Sequence, residues 1–216
     1  MIIPFIPEDL FELNNNLQPQ FDGKVIIIDD IFKNYKDILH ICNNTPVEQW
    51  KSSHNSLNFV DYYDCRLTYL NPYPDNNKAK NRLNLLSSLI NSYYSNNQNI
   101  SSDYSFYFNY FKNKKHNFPN HFQFYPHIDQ AFNVIFYLDK QSNGGTAIYK
   151  NPPPLNLEQN YLFYDISKFS IDYIIPSVPN RCVIFPGNLC HGGYIEDHNI
   201  YYDDWRINLV TFFKLE

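Results

Sequence analysis

Glycine and methionine are scarce in this sequence, while aromatic residues are abundant. Only 6 of the 216 residues are glycine and 1 is methionine, against 19 tyrosines and 18 phenylalanines. This composition excludes a collagen-like chain and a glycine-linker architecture. Five of the six glycines fall between residues 144 and 193. Their clustering indicates that this stretch contains backbone geometry that other residues adopt poorly.

Cysteine is also sparse, with 4 residues in the whole chain. None of them has the C-x-x-C spacing of a zinc or redox motif, and four are too few for a disulfide framework at this length. The cysteines are Cys42, Cys65, Cys182 and Cys190. We expect them to be buried, reduced thiols in an intracellular protein.

Long hydrophobic runs and an excess of positive charge are absent from the sequence. No run of about 18 apolar residues occurs, and the first residues lack the positive region of a signal peptide. The formal net charge is −5, with one short basic patch at Lys112–Lys115. Bulk attraction to nucleic acid is therefore not expected. The sequence predicts a soluble, cytoplasmic protein with no membrane or nucleic-acid partner.

The remaining composition is that of a globular chain. Hydrophobic residues make up 44% and charged residues 18%, and 216 residues suit one domain. In the first half, the patterns predict a strand over Lys24–Phe32 and helices over residues 34–43 and 77–94, the second with Asp75 as its candidate cap.

From residue 105 the pattern changes to short segments separated by proline, asparagine and glycine. Seven strands are predicted, at Ser105–Phe111, His121–Ile128, Asn133–Leu138, Thr146–Tyr149, Phe169–Ile175, Cys182–Phe185 and Ile207–Phe213. Strands of this length and spacing are typical of a sandwich or jelly roll, whose two sheets enclose a cavity. We therefore expect an α+β protein of one domain over 1–216, in which residues 1–104 support a jelly-roll core at 105–216.

One of these strands carries a candidate metal-binding pair. His127 and Asp129 are two residues apart, so on a strand both side chains point to the same face. An imidazole and a carboxylate can share a metal ion, and His191, 62 residues after Asp129, is the natural third ligand. Two histidines and one carboxylate form the facial triad of non-haem Fe(II) oxygenases.

Four further residues are candidates for binding an organic acid beside that metal. Arg206 follows His191 by fifteen residues, and a guanidinium can hold a carboxylate through two hydrogen bonds. Asn208 would face the same way. The plainer alternatives are a surface ion pair for Arg206 with Asp203 or Asp204, a turn cap for Asn133 and a core position for Tyr110.

The motifs together resemble a known superfamily, the Fe(II)/2-oxoglutarate-dependent oxygenases. Those that match in order and spacing are His127-x-Asp129, Tyr137-Leu-Asp139, Gly144-Gly145-Thr146-Ala147, Phe185-Pro-Gly187, His191 and Arg206-x-Asn208. The chain looks most like the prolyl 4-hydroxylase-like branch, and closest to a largely uncharacterised group within it.

The resemblance implies a double-stranded β-helix with Fe(II) held by His127, Asp129 and His191, and 2-oxoglutarate bound through Arg206. Oxygen would be the co-substrate, and a small molecule or a peptide residue would be hydroxylated. The chain departs from prolyl hydroxylases, which usually carry lysine at the Arg206 position. It also departs from the nucleic-acid repair branch, which usually has a second arginine where this chain has Phe212.

Other functions fit parts of the pattern. A non-catalytic jelly roll could bind a metal or ligand without turnover, and a cupin-type metalloenzyme could catalyse another reaction, although it usually has an H-x-H pair. The substrate pocket is expected to be shaped by residues 44–104 and 151–168, and the segment 151–165 is a candidate lid.

Overall fold

Antiparallel strands make up most of the fold. A computed structural model describes residues 8–46, 51–52, 63–69, 77–94, 100–101, 107–113, 119–124, 126–150 and 163–215. The helices are α1 (Tyr35–Asn44), α2 (Asn77–Tyr94) and α3 (Ile200–Asp203), and short 3-10 helices occur at Glu8–Phe11 and Ile166–Lys168. The strands are β1 (Gln20–Phe21), β2 (Ile26–Ile28), β3 (Lys51–Ser52), β4 (Tyr63–Tyr69), β5 (Ile100–Ser101), β6 (Tyr107–Asn113), β7 (Phe122–Phe124), β8 (Phe132–Tyr137), β9 (Gly145–Lys150), β10 (Phe163–Asp165), β11 (Ser170–Pro176), β12 (Arg181–Pro186), β13 (His191–Tyr194) and β14 (Arg206–Leu215).

The strands form a large sheet and a small sheet, and the chain passes back and forth between them. The large sheet has the order β1-β2-β12-β8-β14-β6-β4-β3, with β5 added beside β14, and the small sheet has the order β11-β9-β13. Strands β7 and β10 form a separate pair, and an isolated antiparallel bridge joins His127 to His191. Along the chain, β8, β12 and β14 belong to the large sheet, while β9, β11 and β13 belong to the small one. This alternation is the double-stranded β-helix, or jelly roll, and it confirms the predicted fold class.

Strand β12 shows how the large sheet separates two cores. Cys182 and Ile184 pack with the helices in one cluster, while Val183 and Phe185 belong to a second cluster. The helix-side cluster contains Ile38 of α1 and the apolar face of α2 at Leu83, Leu86 and Ile90. The helices of the N-terminal half therefore pack on one sheet, as predicted, because alternate residues of each strand face opposite sides.

The helix boundaries agree with the sequence pattern, but the first long strand does not. Helix α2 covers the predicted residues, and α1 differs by one residue at each end. The predicted strand Lys24–Phe32 shortens to Ile26–Ile28, because Asp30 adopts φ 52° and Asp29 turns outward to pair with Arg181 at 2.6 Å. Asp75 lies outside the described residues, and the single-domain boundary stays a prediction.

The cysteine and hydropathy expectations can be checked on part of the chain. Cys42, Cys182 and Cys190 are buried free thiols, as predicted, and burial raises the pKa of Cys190 to about 11. The side chain of Cys65 is not described. Among the helices that the structure describes, none is both long enough and apolar enough to cross a membrane.

A buried carboxyl group, that of Asp139, joins three elements just beyond the end of β8. Its Oδ1 accepts a hydrogen bond from the backbone N–H of Ile207 at 2.6 Å, and its Oδ2 accepts one from the hydroxyl of Tyr201 in α3 at 3.3 Å. The hydroxyl of Tyr35 in α1 donates to the backbone carbonyl of Asp139. Burial raises the pKa of the Asp139 carboxyl to about 7, although the charge of Arg206 opposes the shift.

This raised pKa should make folding stability fall as the pH rises from about 4 to about 7. In that window the unfolded chain has lost the Asp139 proton while the folded chain keeps it, so raising the pH favours unfolding. Above about pH 7 the carboxyl is ionised in both states and the slope ends. The effect is up to about 4 kcal/mol.

Urea denaturation of the wild type and of Asp139→Asn between pH 4.5 and 8 measures how much Asp139 contributes to the pH dependence of the free energy of unfolding. Asparagine keeps an acceptor for the Ile207 N–H but does not titrate, so the free energy of unfolding of the wild type should decline more steeply with pH. Because other titrating groups are common to both proteins, parallel pH profiles would contradict the assignment.

Candidate metal centre

Two histidines that are far apart in the sequence meet through a short antiparallel bridge. The backbone N–H of His127 donates to the carbonyl of His191 at 2.8 Å, and the N–H of His191 donates to the carbonyl of His127 at 2.9 Å. Their imidazole rings lie 4.3 Å apart between centroids. The ring of His191 also packs edge-on against Phe185 at 4.9 Å, so the inner core fixes its orientation.

Asp129 reaches the same point from a loop and not from a strand. The predicted strand His121–Ile128 is shorter, since β7 ends at Phe124 and His127 forms only the bridge. The N–H of Asp129 donates to the carbonyl of Gly187 at 2.7 Å, which anchors the loop to the segment after β12. Ile128 is 55% exposed, so the alternation that places His127 and Asp129 on one side persists after the strand ends.

The three side chains converge on one small volume. Oδ2 of Asp129 lies 3.4 Å from Nε2 of His191 and 3.7 Å from Nε2 of His127. One donor atom from each residue lies within 4.8 Å of the other two. The predicted ligand set is thus assembled by the tertiary structure, and each residue offers one atom to a common centre.

A backbone carbonyl determines which ring nitrogen of His191 faces the candidate metal site. Nδ1 of His191 lies 2.8 Å from the carbonyl oxygen of Leu189. Because a carbonyl oxygen only accepts, Nδ1 is the nitrogen that donates to Leu189, and Nε2 is the nitrogen that faces Asp129. Metal-binding histidines commonly have this arrangement, in which the second nitrogen is fixed by a backbone acceptor.

The carboxylate of Asp129 fits a metal ion. Its Oδ2 is buried and accepts no hydrogen bond from the part of the chain that the structure describes. Burial raises the pKa of Asp129, but His191 and His127 outweigh this effect and hold the pKa below its ordinary value. An ionised, buried oxygen whose neighbouring nitrogens lie at 3.4 and 3.7 Å, too far for a good hydrogen bond, is costly unless it gains a closer partner. A divalent transition metal bound by two imidazoles and one carboxylate would supply it.

The candidate ligands lie in a cavity of about 190 Å³ that also contains Arg206. This arginine is 4% exposed, and its Nη2 donates to the carbonyl of Gly145 at 3.1 Å. The alternative of a surface ion pair is wrong, because Arg206 is buried and Asp204 pairs with Lys140 at 3.0 Å. A buried cation therefore faces the same space as the three candidate ligands.

Two predicted amide residues also line this cavity. Asn133 is 2% and Asn208 is 5% exposed, so neither caps a surface turn. Eight buried side-chain atoms of the described residues have no hydrogen-bond partner there, and four belong to residues that line this cavity. The four are Asp129 Oδ2, Asn133 Nδ2, Arg206 Nε and Asn208 Oδ1. Half of the unpartnered polar atoms thus collect in one cavity, which suits a polar ligand.

Some of the predicted positions are only partly described. The backbone of Tyr110 pairs with Ile207 across β6 and β14, but nothing is described of its side chain, so its role stays a prediction. The segment 151–162, most of the candidate lid, and large parts of 44–104 lie outside the described residues.

Sequence reasoning missed several residues of the cavity. Thr146 lines it and shares a hydrogen bond of 2.7 Å with the hydroxyl of Tyr137. Ile135 is two residues from Asn133 on β8, so strand alternation could have identified it. No sequence signal could have identified the carbonyl of Leu189, because any residue supplies a backbone carbonyl.

Gly187 is needed for the position of Asp129. A Cβ atom at residue 187 would lie 2.2 Å from the carbonyl oxygen of Ala131 and 2.7 Å from Cβ of Asp129. Since one of these contacts is with backbone, the loop must move. We expect Gly187→Ala to weaken Mn(II) binding at least about tenfold, as losses of ligand support do, measured by isothermal titration calorimetry.

Gly23→Ala is the matched control for this prediction. Gly23 has φ +92°, and no atom of the described residues lies within 4 Å of an added Cβ, so we expect alanine there to cost stability through backbone strain. Its Mn(II) affinity should equal that of the wild type. Unchanged affinity in folded Gly187→Ala would show that the Asp129 loop tolerates the displacement.

Comparisons with known proteins give structural neighbours only. No protein-family model matches the sequence, and no curated protein matches it. A prolyl-4-hydroxylase from Pseudomonas putida is similar, with 11% identity over 84% of this chain and 86% of that one and a TM-score of 0.47. AviO1 from Streptomyces viridochromogenes Tue57 has 16% identity over 68% and 66% of the two chains and a TM-score of 0.41. E. coli ycfD has 10% identity over 92% and 54%, with a TM-score of 0.41. At such identities the likeness concerns the fold, and the double-stranded β-helix itself is defined by the strand order of this chain.

Proposed function

We propose that this protein is an Fe(II)- and 2-oxoglutarate-dependent oxygenase that hydroxylates a small molecule or a residue of a peptide or protein. The observation that supports this most is that a two-histidine, one-carboxylate set and a buried arginine line one cavity. The metal set suits Fe(II), and the arginine suits the far carboxylate of a keto acid. Each feature alone is common, but together they match the two cofactors of one reaction.

The metal would be held by Nε2 of His191, a carboxylate oxygen of Asp129 and a nitrogen of His127. When bound, Fe(II) supplies the redox chemistry that activates oxygen, and three ligands on one face leave other coordination positions open. The bond from Nδ1 of His191 to Leu189 keeps the ring in the tautomer that presents Nε2. The low pKa of Asp129 keeps its carboxylate charged at neutral pH.

The keto acid would be held at the other side of the cavity. Among the described residues Nε of Arg206 has no hydrogen-bond partner, while its Nη2 is anchored on Gly145, so the guanidinium is oriented before any ligand binds. Nδ2 of Asn133, a side chain that also helps to lower the pKa of Asp129, has no close hydrogen-bond partner among the described residues and offers a further N–H group. Apolar side chains complete the wall, and their low polarity strengthens the charged contact. They are Phe124, Ile135, Val210 and Phe212.

The overall reaction consumes one oxygen molecule. One oxygen atom enters the keto acid, which loses carbon dioxide and becomes succinate, and the other enters a C–H bond of the substrate as hydroxyl. The described residues bind and orient the reactants.

The test is anaerobic addition of Fe(II) and 2-oxoglutarate to the folded protein, followed by oxygen. We expect a weak visible charge-transfer band from the chelate, and succinate release when oxygen is admitted. A band without succinate would favour the alternative of a non-catalytic metal- and ligand-binding jelly roll. Neither band nor succinate in metal-loaded protein would overturn the proposal.

A further inference from the structure

The cation in the cavity has a buried acidic neighbour behind it. Among the described residues, Asp139 is the carboxylate that is fully enclosed, at 1% exposure, and it is not part of the cavity lining. The charge of Arg206 acts on it, since that charge lowers the pKa that burial raises. Because Asp139 accepts a hydrogen bond from the N–H of Ile207, the residue after Arg206, the two buried groups are neighbours, and Arg206 lines the ligand space whereas Asp139 does not.

Asp139 also fixes the strand that carries Arg206. The N–H of Ile207 donates to Oδ1 of Asp139 at 2.6 Å, and the carbonyl of Ile207 accepts from the N–H of Leu138 at 3.0 Å. Both backbone groups of Ile207 are therefore held by residues 138–139. Ile207 faces the helix-side cluster, so its neighbours Arg206 and Asn208 point into the cavity.

We propose that Asp139 is the positioning residue of Arg206, and that it takes up a proton from solvent when the keto acid binds. This inference rests on the proposed function. In the unliganded protein the guanidinium stabilises the ionised form of Asp139. A carboxylate bound to the guanidinium offsets that attraction. The ionised form of Asp139 then becomes less stable, and Asp139 takes up a proton.

Among the described residues around Asp139, Arg206 is the neighbouring group whose charge a ligand can offset. Tyr201 of α3 and Tyr35 of α1 contact Asp139 through hydroxyl groups, and burial raises the pKa of each above its ordinary value, so neither ionises near neutral pH. Asp204 raises the pKa of Asp139 slightly, and it is itself paired with Lys140. Tyr137 is buried, with its pKa raised to about 12.

Linkage gives this coupling a measurable sign. If binding takes up a proton, the keto acid binds more tightly when Asp139 is already protonated. Since the pKa of Asp139 is about 7, the affinity should fall as the pH rises from 6 to 8. 2-Oxoglutarate is a dianion over this range, so the ligand contributes no slope. A coupling of about fivefold is the expected scale.

The experiment is calorimetric titration of 2-oxoglutarate into the Mn(II)-saturated protein at pH 7, in buffers of different ionisation enthalpy, repeated from pH 6 to 8. The wild type should show net proton uptake and an affinity that falls with pH. Asp139→Asn keeps the acceptor for Ile207 but cannot titrate, so it should bind 2-oxoglutarate with no proton uptake from this group and a flatter pH profile of affinity.

Asp139→Ala tests the positioning role, because it also loses the acceptor for Ile207. Its Kd for 2-oxoglutarate should rise about tenfold or more at unchanged Mn(II) affinity. Asp203→Asn, an exposed carboxylate three residues before Arg206, is the control and should behave as the wild type.

Each outcome decides a different point. Equal proton uptake and equal pH profiles in the wild type and Asp139→Asn would overturn the coupling. Wild-type affinity in a folded Asp139→Ala would overturn the positioning role, and if that variant does not fold, the asparagine variant still tests the coupling. Absence of 2-oxoglutarate binding to the wild type would overturn the proposed function and this inference together. Binding by the wild type with no effect of either substitution would overturn this inference alone.

Discussion

Replacing His127 by alanine should abolish metal binding while the protein stays folded. His127 is one of three candidate ligands, and its side chain is 44% exposed, so its removal leaves no large buried cavity. The variant loses one ligand of three and the contact between that ring and Asp129. Its affinity for Mn(II) or Fe(II) should therefore fall by more than about a hundredfold, which exceeds the effect of losing a residue that only supports a ligand. Mn(II) titration followed by electron paramagnetic resonance of the free ion measures this directly.

The matched control is His121→Ala. His121 precedes the bridge on the same segment and is exposed, but it does not belong to the cluster. Its variant should bind Mn(II) as the wild type does. If His127→Ala retained wild-type affinity, the facial triad would be the wrong description of the site, and with it the proposed function.

Replacing Arg206 by alanine should leave metal binding unchanged and weaken binding of the keto acid, whereas His127→Ala removes metal binding. The metal set does not include Arg206, whereas a charge-assisted clamp contributes about 2–3 kcal/mol to binding a carboxylate. The Kd for 2-oxoglutarate should therefore rise about 30- to 150-fold at unchanged Mn(II) affinity. Calorimetric titration of the Mn(II)-saturated protein gives both constants.

Arg206→Lys separates charge from geometry in the same measurement. Lysine keeps the positive charge but lacks the planar fork, so its affinity should fall between those of the wild type and the alanine variant. Unchanged 2-oxoglutarate affinity in Arg206→Ala would mean that the keto acid is held elsewhere. A parallel loss of Mn(II) affinity would mean that Arg206 supports the loop of Asp129 through the cavity.

Local periodicity was enough to predict much of the fold. The apolar positions of α2 recur every three to four residues, and strand β12 has apolar residues on both faces, because a helix packs against one side and the small sheet against the other. Strand β13 was missed, since its sequence, His191-Gly192-Gly193-Tyr194, has two glycines and no alternation. It is a strand only because β9 pairs with it.

Sequence alone specifies which chemical groups this protein has and in what order: an H-x-D pair, a later histidine and an arginine before an apolar strand. These are local properties, and strand alternation was enough to predict that His127 and Asp129 share a side. The tertiary structure adds that His191 lies opposite His127, that Arg206 is buried rather than paired at the surface, and that Asp139 accepts a hydrogen bond from the strand that carries Arg206. These relations join residues far apart in the chain through backbone hydrogen bonds and burial, which no local pattern encodes.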